Sequence, residues 1–410
     1  MPYFDILETR DPAVREAQLL DRLPALVAHA KGQTDYFGKL LAKIDPAAVT
    51  SREALATLPV TRKGDLIELQ KENPPFGGLN AKRPSALARI FMSPGPIYDP
   101  EGQGRDYWRF ARALYAAGFR PCDILHNSFS YHLTPAGSML ETAAHALGCA
   151  VVPAGTGQTE LQLRAISDIR PSGYAGTPSF LKILFEKAAE TGADMSCLTK
   201  ALVSGEALPP SLRTELAGYG CSVLQCYATA DLGLIAYESE AQEGMIVDEG
   251  VIVEIVRPGT GDPVPDGEVG EVVVTTLTPD YPLIRFGTGD MSAILPGQSP
   301  CGRTNWRIKG WMGRADQTTK VKGMFVHPGQ VADAAKRHPE IARFRLVVGG
   351  TAGRDEMVLR CEVQKQDTAL AARIAESLQA TTKLKGTVEL VAPGSLPNDG
   401  KVIEDTRSYT

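Results

Sequence analysis

Five stretches of this 410-residue chain carry residue types and spacings that can do chemistry. The longest is Cys301 to Gly323, which holds Arg303, Arg307, Lys309, Arg314, Lys320 and Lys322 against one acid, Asp316. That is a local charge of +5 inside a chain of net −5. It reads either as a solvated surface stretch or as a patch that recruits small anions. The glycines at 310, 313 and 323 favour turns where backbone approaches a ligand or where the chain hinges.

Tyr227-Ala-Thr-Ala-Asp231 follows an expected strand at Val223 to Gln225, so it lies at a strand's carboxyl end, where open α/β sheets bind ligands. The Thr229 hydroxyl can meet a phosphate oxygen, and the Asp231 carboxylate can hold Mg²⁺. An ordinary strand-to-helix turn with a capping Asp has the same composition. Arg285-Phe-Gly-Thr-Gly-Asp290 reads as a tight loop whose carboxylate can accept two ribose hydroxyls, or as a plain hairpin turn. Ser204-Gly-Glu-Ala-Leu-Pro209 ends another strand, and Gly400-Lys401 sits near the C-terminus.

The elements that must position these residues follow from hydrophobic period. Asp11-Pro12 caps a helix whose Leu19, Leu20, Leu23, Leu26 and Val27 recur at helical spacing. Thr61 with Asp65 reads as the opening of a second short helix. Strands at Ile124-Leu125, Cys149 to Val152, Gly173 to Ala175, Ala201 to Val203 and Val223 to Gln225 alternate with helices at Ala136 to Leu147, Glu160 to Ile169 (capped by Thr159), Ser179 to Ala189 and Pro210 to Ala217. This order predicts a parallel sheet covered by helices. Val251 to Val274 is β only and reads as an antiparallel sheet or distorted barrel. A compact α+β tail follows, with helices at Pro328 to Arg337 and Ala369 to Ala380 and strands at Ala342 to Val348, Met357 to Val363 and Thr387 to Val391.

The expected class is therefore α/β. A large N-terminal domain of βαβ-type sheets with a small barrel-like section covers residues 1–315. A small α+β domain covers 316–410, the cut falling near Gly313 to Asp316.

Composition excludes other classes. Hydrophobic residues make 43% and charged residues 22%, the balance of a globular chain. The acidic total argues against a nucleic-acid binder, and no run of 18 apolar residues suits a membrane span. The early acids of the N-terminus do not suit a signal peptide. Seven scattered cysteines without a Cys-x-x-Cys pair point to a reduced cytoplasmic protein. The sequence leaves a homodimer open.

Together and in order, these stretches resemble the adenylate-forming (acyl-CoA synthetase) superfamily, and within it the phenylacetate–coenzyme A ligase family. Tyr227 to Asp231 is similar to the family's Tyr-Gly-Ser/Thr-Thr-Glu loop, Pro282 to Asp290 to its Pro-Leu-Ile-Arg-Tyr-Arg-Thr-Gly-Asp stretch, and Gly313 to Pro328 to its Gly-Arg-Ala-Asp turn. Leu396 to Lys401 is similar to its terminal Leu-Pro-x-x-x-Gly-Lys, one residue shorter, and Pro300 to Thr304 points to the phenylacetate ligase branch.

The resemblance implies that a carboxylic acid reacts with ATP to give an acyl-adenylate and pyrophosphate. The small domain then rotates, and coenzyme A forms the thioester. It assigns Lys401 to adenylation, Asp231 to Mg²⁺, Thr229 to a phosphate contact, Asp290 to the ribose, and Arg314 to ribose or phosphate. Ser204, Gly205, Glu206, Gln225, Cys226, Tyr227 and Ala228 would wall the nucleotide, with Lys322 and Gly323 also on the cofactor. Tyr131, His132, Thr134, Gly137, Tyr174 and Gly176 would shape the acid pocket, and the mixture of aromatic and small residues at Phe129 to Pro135 suggests a flat or aromatic acid, with His132 equally readable as a satisfied pocket-wall histidine.

The chain departs from the family at several points. The family's phosphate loop reads Ser-Ser-Gly-Thr-Thr-Gly-Lys-Pro, and its counterpart here is Met92-Ser-Pro-Gly-Pro-Ile-Tyr-Asp-Pro100. Ser93 and Gly95 persist, the threonines and the lysine do not, and Pro94 and Pro96 remove backbone donors. Gly287 replaces an arginine. Ser239, Ser299 and Ile246 stand where some members carry zinc ligands. Cys301 alone makes no tetrahedral site, so no zinc is expected. Two other readings share these motifs: an adenylating amide synthetase, and a catalytically weak relative that binds nucleotide or acyl-CoA.

Overall fold

The computed structural model describes all residues except 1, 313–314, 316–318, 323, 327, 352–353, 366, 398–401 and 408–410. The chain separates into two compact units, Met1–Met312 and Gly313–Thr410.

In the first unit the Asp11 carboxylate accepts from the backbone N–H of Ala13 and Val14, and the helix Pro12–Asp21 begins there. A second helix, Leu23–Gln33, follows at once. Leu19, Leu23, Leu26 and Val27 face inward and join one apolar cluster with Val253, Ile255, Val272 and Val274. Thr61 does not open a helix. Thr61–Arg62 is instead a short strand pairing in parallel with Phe286 and Gly287. The chain then turns through the 3₁₀ segment Lys63–Asp65 into the helix Leu66–Glu72.

The largest sheet has nine strands. From one edge it runs Ala150–Pro153, Ile124–Asn127, Gly173–Gly176, Lys200–Val203 and Ser222–Thr229, all parallel. Helices Ala136–Leu147, Thr159–Ile169, Pro178–Thr191 and Pro210–Gly218 connect these strands, because parallel neighbours cannot be joined by a tight turn. Thr177 caps one helix as its side chain accepts from Phe180 N–H. Thr159 is no cap, since the helix starts on it and Gln158 before it is left-handed.

Beyond Gln225 the strand Ser222–Thr229 leaves its parallel neighbour and pairs antiparallel with Gly233–Tyr237. The sheet continues antiparallel through Met245–Val247, Arg307–Ile308 and Ile294–Leu295. The β-only section is an open four-stranded sheet, ordered Thr61–Arg62, Phe286–Ser292, Gly270–Thr276, Val251–Val256. It does not close into a barrel. Its first strand is two residues long, and Val251–Val256 does not pair with it.

The second unit has its own sheet, ordered Thr387–Val391, Arg354–Val363, Ile341–Thr351, Ile403–Asp405. Its core includes Val331, Leu346, Leu359, Ile374 and Leu378, which ties the helices Pro328–Ala335 and Thr368–Thr382 to the strands. No helix among the described residues is long and apolar enough to cross a membrane.

Candidate active site

Two hairpin returns and one strand-to-helix turn converge on one buried cluster. The first is the pair Arg89–Ser93 and Ile97–Glu101, with Pro94, Gly95 and Pro96 between them. Ser93 Oγ donates to the buried carboxylate of Asp99. The second is the return from Ser222–Thr229 to Gly233–Tyr237, which carries Asp231. Here Tyr227, Ala228 and Thr229 lie inside the strand rather than after it. Thr229 Oγ1 accepts from Leu232 N–H at 3.2 Å and so shapes the turn.

The third is the segment after Thr61–Arg62, which delivers Lys63. Its ammonium donates to Asp231 Oδ2. Asp231 is buried, and its Oδ1 has no hydrogen-bond partner among the described residues. Burial works against the Lys63 charge, but Asp231 and then Asp99 outweigh it and hold its pKa above the usual lysine value. Burial, reinforced by Asp231, pushes the Asp99 carboxyl up to about 7 against the opposing pull of Lys63 and Ser93.

Asp290 is not on a tight loop. It lies in the strand Phe286–Ser292, where Tyr227 Oη donates to it at 2.9 Å and Trp311 Nε1 at 3.1 Å. Arg285 before it is a structural lock. Its guanidinium donates to Glu254 and to the carbonyls of Ala56 and Gly261, both at 2.7 Å.

The nucleotide-wall residues are gathered by strand register, with Val203 beside Gln225. Ser204 Oγ donates to the Cys226 carbonyl at 2.9 Å, Gly205 takes a left-handed φ of 80°, and Glu206 accepts from Ser179 Oγ at 2.6 Å. The Gln225 side chain donates to Glu238, which Arg213 Nη2 grips through both oxygens at 2.8 Å. Cys226 is buried, and burial pushes its thiol up to about 12, so it is a packing residue. Ala228 is half-buried in the same strand.

Of the expected acid pocket, Tyr131, Thr134 and Gly137 come together around Asn127 and Ser130. Asn127 Nδ2 donates to Tyr131 Oη at 2.8 Å and to the Gly137 carbonyl at 2.9 Å. Thr134 Oγ1 donates to the Ser130 carbonyl. His132 is exposed on the same loop. Tyr174 is a core residue rather than a pocket wall. It is wholly buried and packs with Leu181, Leu198 and Ala201. Its hydroxyl would meet a Cβ on Gly176 at 2.1 Å, so that glycine exists to admit the ring.

The basic stretch divides. Arg303 is buried and donates to Glu8 at 2.9 Å, and Arg307 is buried and donates to Glu243 and to the Pro296 carbonyl. These two cations hold the fold and do not recruit a ligand. Lys309 is exposed. Lys322 is exposed too, with its backbone N–H donating to Asp355 at 2.6 Å. Cys301 has Ser299 Oγ at 3.1 Å. Arg314, Asp316, Gly323 and Lys401 lie outside the described residues.

Lys63, Asp99 and Trp311 were not singled out from the sequence as members of the site. Lys63 sits in Thr-Arg-Lys-Gly-Asp, which reads as a helix start, and Asp99 reads only as part of an altered loop. A loop that loses its own lysine leaves a phosphate site short of a cation, and that was the available signal for Lys63.

The arrangement is a cluster of one ammonium, Lys63, and two carboxylates, Asp99 and Asp231, beside a third, Asp290. The AMP-binding enzyme family matches residues 108–278, and the AMP-binding enzyme C-terminal domain matches 323–406. A phenylacetate-coenzyme A ligase of Thermus thermophilus is 32% identical, with 97% of each chain covered. One from Aromatoleum evansii is 29% identical, covering 91% of this chain and 89% of its own. The structure of 2-hydroxyisobutyryl-CoA ligase with 2-HIB-AMP and CoA superposes with a TM-score of 0.84 at 24% identity, covering 100% of this chain and 93% of its own. An amide bond synthetase from Marinactinospora thermotolerans gives 0.57 at 17%, covering 93% and 92%. With both family segments in order and that identity over nearly the full length, the chain belongs to the adenylate-forming enzymes, in their phenylacetate–coenzyme A ligase-like family.

Proposed function

We propose that this protein is an AMP-forming acid–CoA ligase acting on an aromatic, phenylacetate-like carboxylic acid. The acid's carboxylate oxygen attacks the α-phosphorus of ATP, the bond to the β-phosphate breaks, and pyrophosphate leaves. The coenzyme A sulfur then attacks the acyl carbon of the adenylate, and AMP leaves. The observation that carries this reading is the convergence of Ser93, Lys63, Asp231 and Asp290 from four separate segments onto one buried cluster. The near full-length match to phenylacetate ligases supports it.

In this reading Asp290 anchors the ribose, and Lys63 and Ser93 face the phosphates. Residues 204–206 and 225–228 flank the adenine, and the loop around Tyr131 and His132 meets the acid. The buried Asp231 oxygen that has no hydrogen-bond partner among the described residues suits Mg²⁺, a hard cation that takes oxygen ligands. Lys401 and Arg314 would act from the second unit and its border, with Asp316 as the hinge of a mobile 316–410 domain. A cytoplasmic setting suits the seven free thiols.

The test is a panel of carboxylic acids with ATP and Mg²⁺, read by pyrophosphate release, with and without coenzyme A. Acid-dependent AMP and pyrophosphate, with thioester only when coenzyme A is present, is expected. Amide formed from an added amine without coenzyme A would reassign the acceptor. Absence of AMP across the panel would overturn the reading.

A further inference from the structure

Arg345 is an arginine buried in a strand of the second unit, only 3% exposed. Its neighbour Leu346 faces the core of that unit, and successive strand side chains alternate, so Arg345 lies on the other face of the sheet. Arg343 and Glu362 share that face, directly opposite each other in register. The chain from Ala392 to Pro397 is fastened to these side chains. Ser395 N–H donates to the Ala392 carbonyl, Leu396 N–H donates to Glu362 Oε1 at 2.7 Å, and the Leu396 carbonyl accepts from Arg343 Nη1 at 3.1 Å.

The Arg345 guanidinium then meets two acceptors at once. Nη2 donates to the Pro397 carbonyl at 3.2 Å, and Nη1 donates to Glu404 Oε2 at 3.1 Å. Pro397 stands four residues before Lys401 and Glu404 three residues after it. The far side is also held through backbone. Leu346 N–H donates to the Val402 carbonyl at 2.9 Å, and Ile403–Asp405 pairs in parallel with Leu346 to Val348. Lys401 itself is outside the described residues, but the chain on both sides of it is anchored to one strand, and a single side chain bridges the two anchors.

A buried cation is costly unless it is paired. The planar fork of a guanidinium can serve two acceptors in fixed directions, which a lysine ammonium on its flexible stem does less well. A lysine that must stand between a carboxylate and a phosphate needs its backbone held, since a misplacement of about 1 Å can cost about 10²-fold in rate.

We infer that Arg345 is a positioning residue for adenylation: it brackets the segment that carries Lys401, fastening its entry at Pro397 and its exit at Glu404. The inference rests on the reading of Lys401 as the adenylation lysine. Arg345 acts through that lysine and belongs to the first half-reaction alone.

The test separates the half-reactions in Arg345→Met, using the acid with the fastest pyrophosphate release in the panel and that acid's adenylate. Pyrophosphate release should fall at least tenfold, in kcat more than in KM for ATP. Thioester formed from the supplied adenylate and coenzyme A should stay within twofold of wild type. A merely structural role would lower both half-reactions together, and that result, or no loss in either, would overturn the inference. Arg345→Lys keeps the charge without the fork and should not restore adenylation, so full rescue would also count against the bracket. Should Arg345→Met fail to fold, Glu404→Ala decides, because it frees one side only and Glu404 is 42% exposed in its side chain. At least a threefold loss confined to adenylation is expected, and equal half-reactions would refute the claim. Wild-type protein that releases no pyrophosphate with any acid would remove the ligase reading and this inference with it. Wild-type turnover with an unselective variant would remove the inference alone.

Discussion

Lys63 and Asp231, 168 residues apart in sequence, form an ion pair in which the carboxylate is buried and the ammonium keeps 27% of its side chain exposed. The pair ties the turn after Thr61–Arg62 to the return between two strands of the large sheet. Lys63→Met leaves the Asp231 charge without its partner. Breaking a buried pair costs about 3–5 kcal/mol, and the partial exposure of Lys63 puts this one near about 3 kcal/mol. Urea unfolding should show that loss, and pyrophosphate release should fall at least tenfold. A variant with wild-type stability and turnover would show that the pair is incidental.

Tyr227 and Asp290 make a second cross-sheet link. Tyr227→Phe removes the hydroxyl that donates to Asp290 at 2.9 Å and to Thr288 at 3.2 Å. A hydrogen bond to a charged group contributes about 1.5–3 kcal/mol. The expected result is a stability loss in that range and a rise of about fivefold or more in KM for ATP, with kcat changed less. Measured together, an altered kcat with unchanged KM for ATP would place Asp290 away from the nucleotide.

How much of this was readable from the chain differs by element. The βαβ order was legible because short apolar runs alternate with segments whose apolar residues recur at helical spacing. Thr61–Arg62 was not, because a two-residue strand has no period and exists only through its pairing with Phe286 and Gly287. The strand Ser222–Thr229 was read five residues short, and Asp290 was read as a loop residue, since Gly and Thr resemble a turn until the neighbouring strand is present. Motif order located Asp231 and Asp290. Lys63 could not be placed from order, because its partner is distant in sequence. Arg303 and Arg307 read as a patch until both were seen to be buried, Arg303 on the buried Glu8 and Arg307 on Glu243.

Lys401 lies outside the described residues, and its role follows from the terminal motif. Lys401→Ala is expected to reduce adenylation at least a hundredfold, as removal of a charge from a developing phosphate centre does. Thioester formation from a supplied acyl-adenylate and coenzyme A should persist. Equal loss of both half-reactions, followed by product chromatography, would contradict that assignment.

Asp106 offers a pH test independent of the ligands. Burial, with Asp248 reinforcing it and Arg109 and the Ala111 N–H opposing, pushes its carboxyl up to about 6 from 3.8. The folded state therefore binds this proton more tightly than the unfolded chain. The stability it contributes is present below pH 3.8 and lost as pH rises toward 6. At neutral pH the ionised group costs about 3 kcal/mol. Asp106→Asn removes that dependence. Relative to wild type, the variant should gain about 2–3 kcal/mol between pH 4 and pH 7.5 in urea unfolding. An identical difference at both pH values would sink the argument.

Gly137 opens the helix Ala136–Leu147 directly behind the loop that carries Tyr131 and His132. A Cβ there would lie 2.8 Å from the Ser130 carbonyl oxygen and 2.8 Å from the Tyr131 ring. In a helix alanine is ordinarily better than glycine by about 0.5–1 kcal/mol. Here the contact is with backbone on one side and with an anchored ring on the other, since Asn127 holds both Tyr131 Oη and the Gly137 carbonyl. Overpacking of this kind costs about 1–3 kcal/mol, so Gly137→Ala is expected to be destabilising or neutral rather than stabilising. The loop must move, and the Ser93, Lys63, Asp231 cluster is built on other segments. KM for the acid should therefore rise about tenfold while KM for ATP stays within twofold. A parallel rise in both constants would mean that the Tyr131 loop does not form the acid pocket.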